Sequence, residues 1–338
     1  MDEVLLRNIK DKLKKELNFD LVSHTEIKAG GNNKLFCLSS GSSKLLLKIY
    51  NAHDDRQRLK REFHALSFLR KESFDCIPSA YLKDDSLNIA VYSYEIGKSK
   101  DAKDITRNNL DQMIDFVVSL QNIRPVDVTE EFLSGVMACF SFQDYLNNIQ
   151  LRIEKFRAHA QNDGLPDIVK ELLQTDYIEV INDLVANVMK KYTTEEIEEQ
   201  IPLAERSLSP VDFGPHNTIF KDDGSLVFVD FEYFGWDDPN RLVGDFLNHD
   251  QMRGISVEDK NYFLKKYLEE STLSEYILKR LDTITKLIAI EWVTTYLSSL
   301  TKEKIEIRKF ANSEFNEDEY VKTQIEKYKS KLKTLQES

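Results

Sequence analysis

The chain has 338 residues, 31% of them charged, and a formal net charge of −12. That length permits two lobes and a sizeable core. The acidic balance argues against a nucleic-acid surface, which needs clustered Lys and Arg facing phosphates, but leaves room for a local basic groove around a nucleotide. Three widely spaced cysteines, Cys37, Cys76 and Cys139, form no metal-ligand pair. No segment approaches the uninterrupted apolar length of a membrane span, and the N-terminal stretch lacks an apolar signal core. The expectation is a cytoplasmic chain without membrane insertion. Nothing in its composition fixes an oligomeric state.

In chain order, residues 2–18 carry Val4, Leu5, Ile9, Leu13 and Leu17 near helical spacing, with acid early and lysine late, as the helix dipole prefers. Residues 27–38 then read as strand, Gly30-Gly31, strand. Paired glycines let a backbone approach a phosphate, although the same pattern serves an ordinary hairpin. After a Ser-Gly-Ser-Ser turn, Leu45-Leu46-Leu47-Lys48-Ile49-Tyr50 is an apolar strand interrupted by one lysine. Such a lysine is costly to desolvate unless it meets an anion or reaches water from an edge strand. Residues 56–71 form a helical stripe of Leu59, Phe63, Leu66 and Leu69, with Glu62 at its border. Ile77-Pro78 ends that region, and residues 88–97 read as a strand running into a turn.

Residues 104–200 read as mostly helical, through Met113, Phe116, Val117 and Leu120, then Tyr145 to Phe156, then a long helix over 168–192 and an acidic connection over 193–200. The histidines at 24, 53, 64 and 159 have no metal-spaced partner. Further on, Thr283 to Leu300 is the most apolar late helix and contains Trp292, which reads either as core or as an aromatic face for a cation. The tail from Lys302 onward alternates charge along a final helix.

The chemistry concentrates between these helices, in Ser209-Pro210-Val211-Asp212-Phe213-Gly214-Pro215-His216-Asn217, a turn, and Leu226-Val227-Phe228-Val229-Asp230-Phe231-Glu232. An Asp, an Asn five positions later (217 − 212) and a second Asp after a strand place three oxygen donors on a loop and a strand end. That set suits Mg²⁺-assisted phosphoryl transfer.

The wording around it, with Val-Asp-Phe-Glu-Tyr-Phe-Gly-Trp-Asp-Asp-Pro, resembles the aminoglycoside phosphotransferase and choline kinase-like superfamily in its bacterial small-molecule branches. The resemblance implies an α+β, protein-kinase-like bilobal fold. Its N-lobe (1–97) would hold an antiparallel sheet with one helix, and its C-lobe (98–338) would be larger and mainly helical. It implies Asp212 as the catalytic carboxylate, and Asn217 and Asp230 as metal ligands. It further implies Lys48 on the phosphates with Glu62 holding it, Gly30 and Gly31 over the phosphates, and adenine at the backbone near Ser93 and Glu95. The cofactors implied are ATP, or another nucleoside triphosphate, and Mg²⁺; the partner is a small-molecule hydroxyl acceptor.

Two features depart from protein kinases or from the superfamily. Glu232 stands where a protein kinase has the glycine of Asp-Phe-Gly, and no long activation segment comes after it, which implies a small-molecule acceptor. Pro210 stands where the superfamily usually carries a scaffold His two residues before the catalytic Asp; a proline with fixed φ could stiffen the same turn. Asp237 and Asp238, with Trp292, are candidates to meet the acceptor, although Asp237-Asp238-Pro239 equally reads as a helix cap. The rival to an enzyme is a nucleotide-binding or regulatory module without turnover.

Overall fold

The computed structural model describes residues 3–27, 33–51, 56–161, 165–167, 169, 177–311 and 314–337. They make two compact units: residues 1–100 with 216–234, and residues 101–215 with 235–338. The chain is α+β, with an antiparallel sheet in the first unit and a larger, mainly helical second unit. The segment 216–234, downstream of the proposed lobe boundary, belongs to the first unit.

In the first unit β1 (Ser23–Ile27), β2 (Lys34–Ser40), β3 (Ser43–Ile49), β4 (Ala80–Asp84) and β5 (Ile89–Ser93) form a five-stranded sheet in the order β1-β2-β3-β5-β4, each pair antiparallel. Side chains alternate between faces along a strand, and β3 divides its residues accordingly. Leu45, Leu47 and Ile49 join one cluster with Phe36, Leu38, Leu82 and Val91, closed over by Ile9 and Leu13 of α1 (Glu3–Leu17). Lys12 of the same helix pairs with Asp84, whose carboxyl is held well below the usual range chiefly by that lysine. Leu46, Lys48 and Tyr50 therefore take the other face, where α2 (Arg58–Lys71) presents Glu62.

In the second unit, α3 (Arg107–Gln121) starts at a capping box between Thr106 and Asn109. The core is built around the helix Glu275–Ser298. Ile284, Leu287 and Ile288 pack with Phe142 and Tyr145 of α4 (Phe142–Gln161), while Ile290, Val293 and Leu297 pack with Ile149, Ile153 and Phe156. The acidic connection over 193–200 contains a short helix, Thr194–Glu198, opened by a capping box of Thr193 and Glu196. The tail forms two helices, Lys302–Ala311 and Glu317–Glu337, rather than one. Among the described residues, no helix is long and apolar enough to cross a membrane.

Candidate active site

In the first unit, two short strands set the spacing of the oxygen donors. β7 (Thr218–Phe220) and β8 (Leu226–Phe228) pair antiparallel, with Thr218 opposite Phe228. Gly224, at φ 87°, turns the hairpin in a conformation that suits glycine. Just beyond the paired residues, the Val229 amide donates to the Asn217 carbonyl at 2.9 Å. Asn217 and Asp230 thus leave the same end of one hairpin. The thirteen-residue separation in sequence (230 − 217) is the path out and back along it. Asp230 itself takes φ 68°, a left-handed conformation uncommon outside glycine and asparagine. Residues held so cluster at functional sites.

Lys48, 5% exposed, reaches this hairpin end. Its Nζ stands 2.7 Å from Glu62 Oε2, 2.6 Å from Asp230 Oδ1 and 3.5 Å from Glu232 Oε2. Burial works against the ammonium charge, but Asp230, Glu62 and Glu232 outweigh it and hold the Lys48 pKa well above its ordinary value. Glu62 pays the complementary penalty: its carboxyl is raised to about 7, the balance of burial pushing it up, Lys48 pulling it down, and Asp230 and Glu232 pushing it up. Tyr50 donates its hydroxyl to Glu62 and shares a 2.8 Å hydrogen bond with the Tyr92 hydroxyl, so Glu62 is fixed from two sides. Glu232 is in turn gripped by Arg58 at 3.3 Å and by the Asn33 carboxamide. Lys48, Glu62, Asn217, Asp230 and Glu232 all line a cavity of about 320 Å³, whose apolar wall includes Leu46, Ile219 and Val229. That volume lies at the small end of ligand pockets.

Asp212 belongs to the second unit, on the loop after β6 (Ser207–Ser209). β6 pairs with β9 (Gly235–Asp237), which places Ser209 opposite Gly235. A Cβ on Gly235 would lie 2.2 Å from the Leu133 carbonyl, so no other residue fits there. The Asp212 amide donates to the Pro210 carbonyl at 2.9 Å across Val211, which has φ 68°. This is a γ-turn of the rare positive-φ kind, on a β-branched residue that strongly disfavours it. The Val211 amide donates to Ser209 Oγ at 3.0 Å and holds the turn from its entry side. His249 Nε2 lies 3.4 Å from Asp212 Oδ1.

The remaining sequence candidates divide. Gly30 and Gly31 lie outside the described residues. Glu95 lines the cavity, paired with Lys221 at 2.9 Å. Ser93 donates its amide to the Ser79 carbonyl and its hydroxyl to Glu95, so its own groups serve the strand end and the glutamate.

Asp237 and Asp238 are both 0% exposed, and here the reading as acceptor contacts gives way to a structural role. Asp237 Oδ1 accepts the amides of Cys139 and Asp238, and Asp238 caps the helix Pro239–Asn248 through the Asn240 amide. Burial raises their carboxyls to about 8 and about 6, against the pull of Arg241 and Arg280 respectively. Trp292 donates its indole N–H to Asp245 at 3.2 Å and meets the His249 ring edge-on at 4.7 Å. Glu291, the other acid beside Trp292 in the sequence, is bound by Arg241 and Arg152.

Glu232 and His249 were not among the predicted site residues. Glu232 carried a signal, a carboxylate where a protein kinase has the glycine of Asp-Phe-Gly. His249 carried none, because its approach to Asp212 depends on helix packing across 37 residues (249 − 212).

The donor set suits a hard divalent cation. Asn217 and Asp230 offer amide and carboxylate oxygens at one hairpin end, and the upward push of Asp230 and Glu232 on Glu62 reports a local crowding of negative charge that a cation would relieve.

The fold is that of known phosphotransferases. The choline kinase LicA from Streptococcus pneumoniae superposes with a TM-score of 0.60 at 17% identity, covering 99% of this chain and 100% of that one. The spectinomycin phosphotransferase APH(9)-Ia, solved with ADP and spectinomycin, gives 0.61 at 13% identity over 94% of this chain and 97% of that one. The ADP-bound aminoglycoside phosphotransferase APH(2'')-Ib gives 0.59 at 16% identity over 99% of each chain. No curated protein matches by sequence. Residues 23–251, which span β1 to the turn beyond His249, match the model of the phosphotransferase enzyme family, and the chain belongs to that family.

Proposed function

We propose that this chain transfers the γ-phosphoryl group of ATP, or of another nucleoside triphosphate, to a hydroxyl of a small molecule such as a sugar, an amino alcohol or an aminoglycoside-like compound. The observation that carries the reading is Lys48, buried between Glu62 and Asp230 on the wall of a cavity that Asn217 also lines. A buried ammonium held on two acids, beside further oxygen donors, suits a phosphate chain bound through a metal. The acceptor class is supported by the fold's likeness to a choline kinase and to spectinomycin and aminoglycoside phosphotransferases.

In this reading Lys48 neutralises phosphate charge, with Glu62 and Tyr50 keeping it in place. Asn217 and Asp230 hold Mg²⁺, which when bound supplies charge neutralisation on the phosphates. The apolar wall of Leu46, Ile219 and Val229 takes the base, next to Tyr94 and Glu95. Asp212 orients the acceptor hydroxyl and accepts its proton as the oxygen attacks phosphorus.

The test compares D212N with D230N. D212N is expected to lower ADP release by about 10²- to 10⁴-fold while Mg·ADP affinity is kept. D230N is expected to weaken Mg-dependent nucleotide binding as well. Near-normal turnover by D212N would contradict the assignment.

A further inference from the structure

We propose that His249 is a positioning residue for Asp212, directing its Nε2–H at the carboxylate from the end of a distant helix. The inference rests on the reading of Asp212 given above and adds a residue to its site.

His249 is fixed through its backbone and one ring nitrogen. Its amide donates to the Asp245 carbonyl at 2.7 Å at the end of the helix Pro239–Asn248, and its carbonyl accepts from the Met252 amide at 2.9 Å. Its Nδ1 accepts the Gln251 amide at 3.1 Å. A backbone N–H can only donate, so Nδ1 must be the bare nitrogen of the neutral ring and the proton must sit on Nε2. That nitrogen is the one 3.4 Å from Asp212 Oδ1. The separation exceeds that of a formed hydrogen bond, as such contacts commonly do before substrate tightens them.

The ring cannot easily turn away. Trp292 meets it edge-on with centroids 4.7 Å apart and interplanar angle 81°, and the indole N–H anchors Trp292 on Asp245. Asp245 in turn lies 3.7 Å from Arg241. His249, Trp292 and Asp245 thus form a wedge behind the imidazole.

At Asp212 the backbone is set by the γ-turn over Val211, with Pro210 occupying the position of the superfamily's scaffold His. That turn fixes the backbone of Asp212 but supplies no side-chain donor from position 210, and an N–H directed at Oδ1 would hold one carboxylate oxygen and turn the other toward an acceptor proton. Trp292, read from the sequence as core or as an aromatic face for a cation, serves here to aim His249.

The test uses the full chain and two variants, with ADP release from Mg·ATP and choline as the added probe acceptor. H249F keeps a ring against Trp292 but has no N–H; H249Q restores an N–H near the Nε2 position without the ring. The expected result is a loss in kcat of about 10- to 100-fold in H249F with KM for ATP unchanged, and substantial recovery in H249Q. In parallel, imidazole ¹⁵N shifts, assigned by the signal missing from H249Q, should show the Nε2–H tautomer. A merely structural histidine would give the reverse order, with H249F the better variant.

Wild-type turnover by H249F alongside an inactive D212N, or a proton on Nδ1, would overturn this proposal alone. A wild-type chain that neither binds Mg·ATP nor releases ADP would overturn the parent reading and this one with it.

Discussion

Lys48 could be singled out in the sequence because a lysine inside an apolar strand needs an anion, and it found three. The structure adds how tightly they are coupled, since Asp230, Glu62 and Glu232 hold the Lys48 pKa up while Lys48 pulls Glu62 down and Asp230 and Glu232 push it up. K48M should therefore do two things. It should lower turnover by about 10²- to 10³-fold through loss of a charge aimed at phosphate, and it should destabilise the fold by leaving Glu62 buried without its partner. A thermal melt beside the kinetic assay separates the effects, and the double variant K48M/E62Q should recover stability without recovering turnover.

The aspartates at 237 and 238 show the opposite case. In one dimension Asp237-Asp238-Pro239 reads as an acceptor contact or as a helix cap, and only the arrival of Arg241 and Arg280 shows that the pair is interior. Asp237 also sets a pH dependence. Its folded pKa, raised to about 8 by burial, exceeds its unfolded value, so the stability linked to its protonation is complete below about pH 4 and is lost as pH rises through 8. Asp238 and Asp245, both raised to about 6, act in the same direction over a lower window. D237N retains an oxygen for the Cys139 and Asp238 amides but cannot ionise. Its melting temperature relative to wild type should therefore rise between pH 5 and pH 8, by up to about 1.4 kcal/mol of stability per pH unit. A constant difference across that range would exclude the linkage.

The longer elements were legible in the sequence because each carries a period. Alternation in β3 separates the faces, and the 3.6-residue stripes give α1, α2, α3, α4 and the helix Glu275–Ser298. The three-residue strands were not legible, being too short to show alternation. Yet β6 with β9 and β7 with β8 hold Asp212, Asn217 and Asp230 in place. The short helix Thr194–Glu198 was hidden by its acidity, although its Thr-x-x-Glu start is a capping box. Gly235 is a point of close backbone approach in the β6–β9 pair. G235A forces a Cβ against the Leu133 carbonyl, and a destabilisation of about 2 kcal/mol or more is expected, read as a fall in melting temperature with turnover falling alongside. A variant with unchanged melting temperature would show that this strand pair is not under the constraint described.

For the whole molecule, the chain's own order conceals its division. Residues 216–234 return to the first unit, so the metal-ligand candidates share a unit with Lys48 while Asp212 and His249 share the other. Family membership and fold support phosphoryl transfer as the chemistry, and neither fixes the acceptor. The most direct test is therefore of the transfer itself: ³¹P NMR of the wild-type chain with Mg·ATP and a panel of small alcohols including choline, spectinomycin and simple sugars, run beside D212N. The expected result is a new phosphomonoester signal growing in step with ADP for at least one acceptor, absent from D212N although that variant still binds Mg·ADP. The same phosphomonoester formed at the same rate by D212N, or ATP left intact by a wild-type chain that does not bind it, would contradict the assignment of this site.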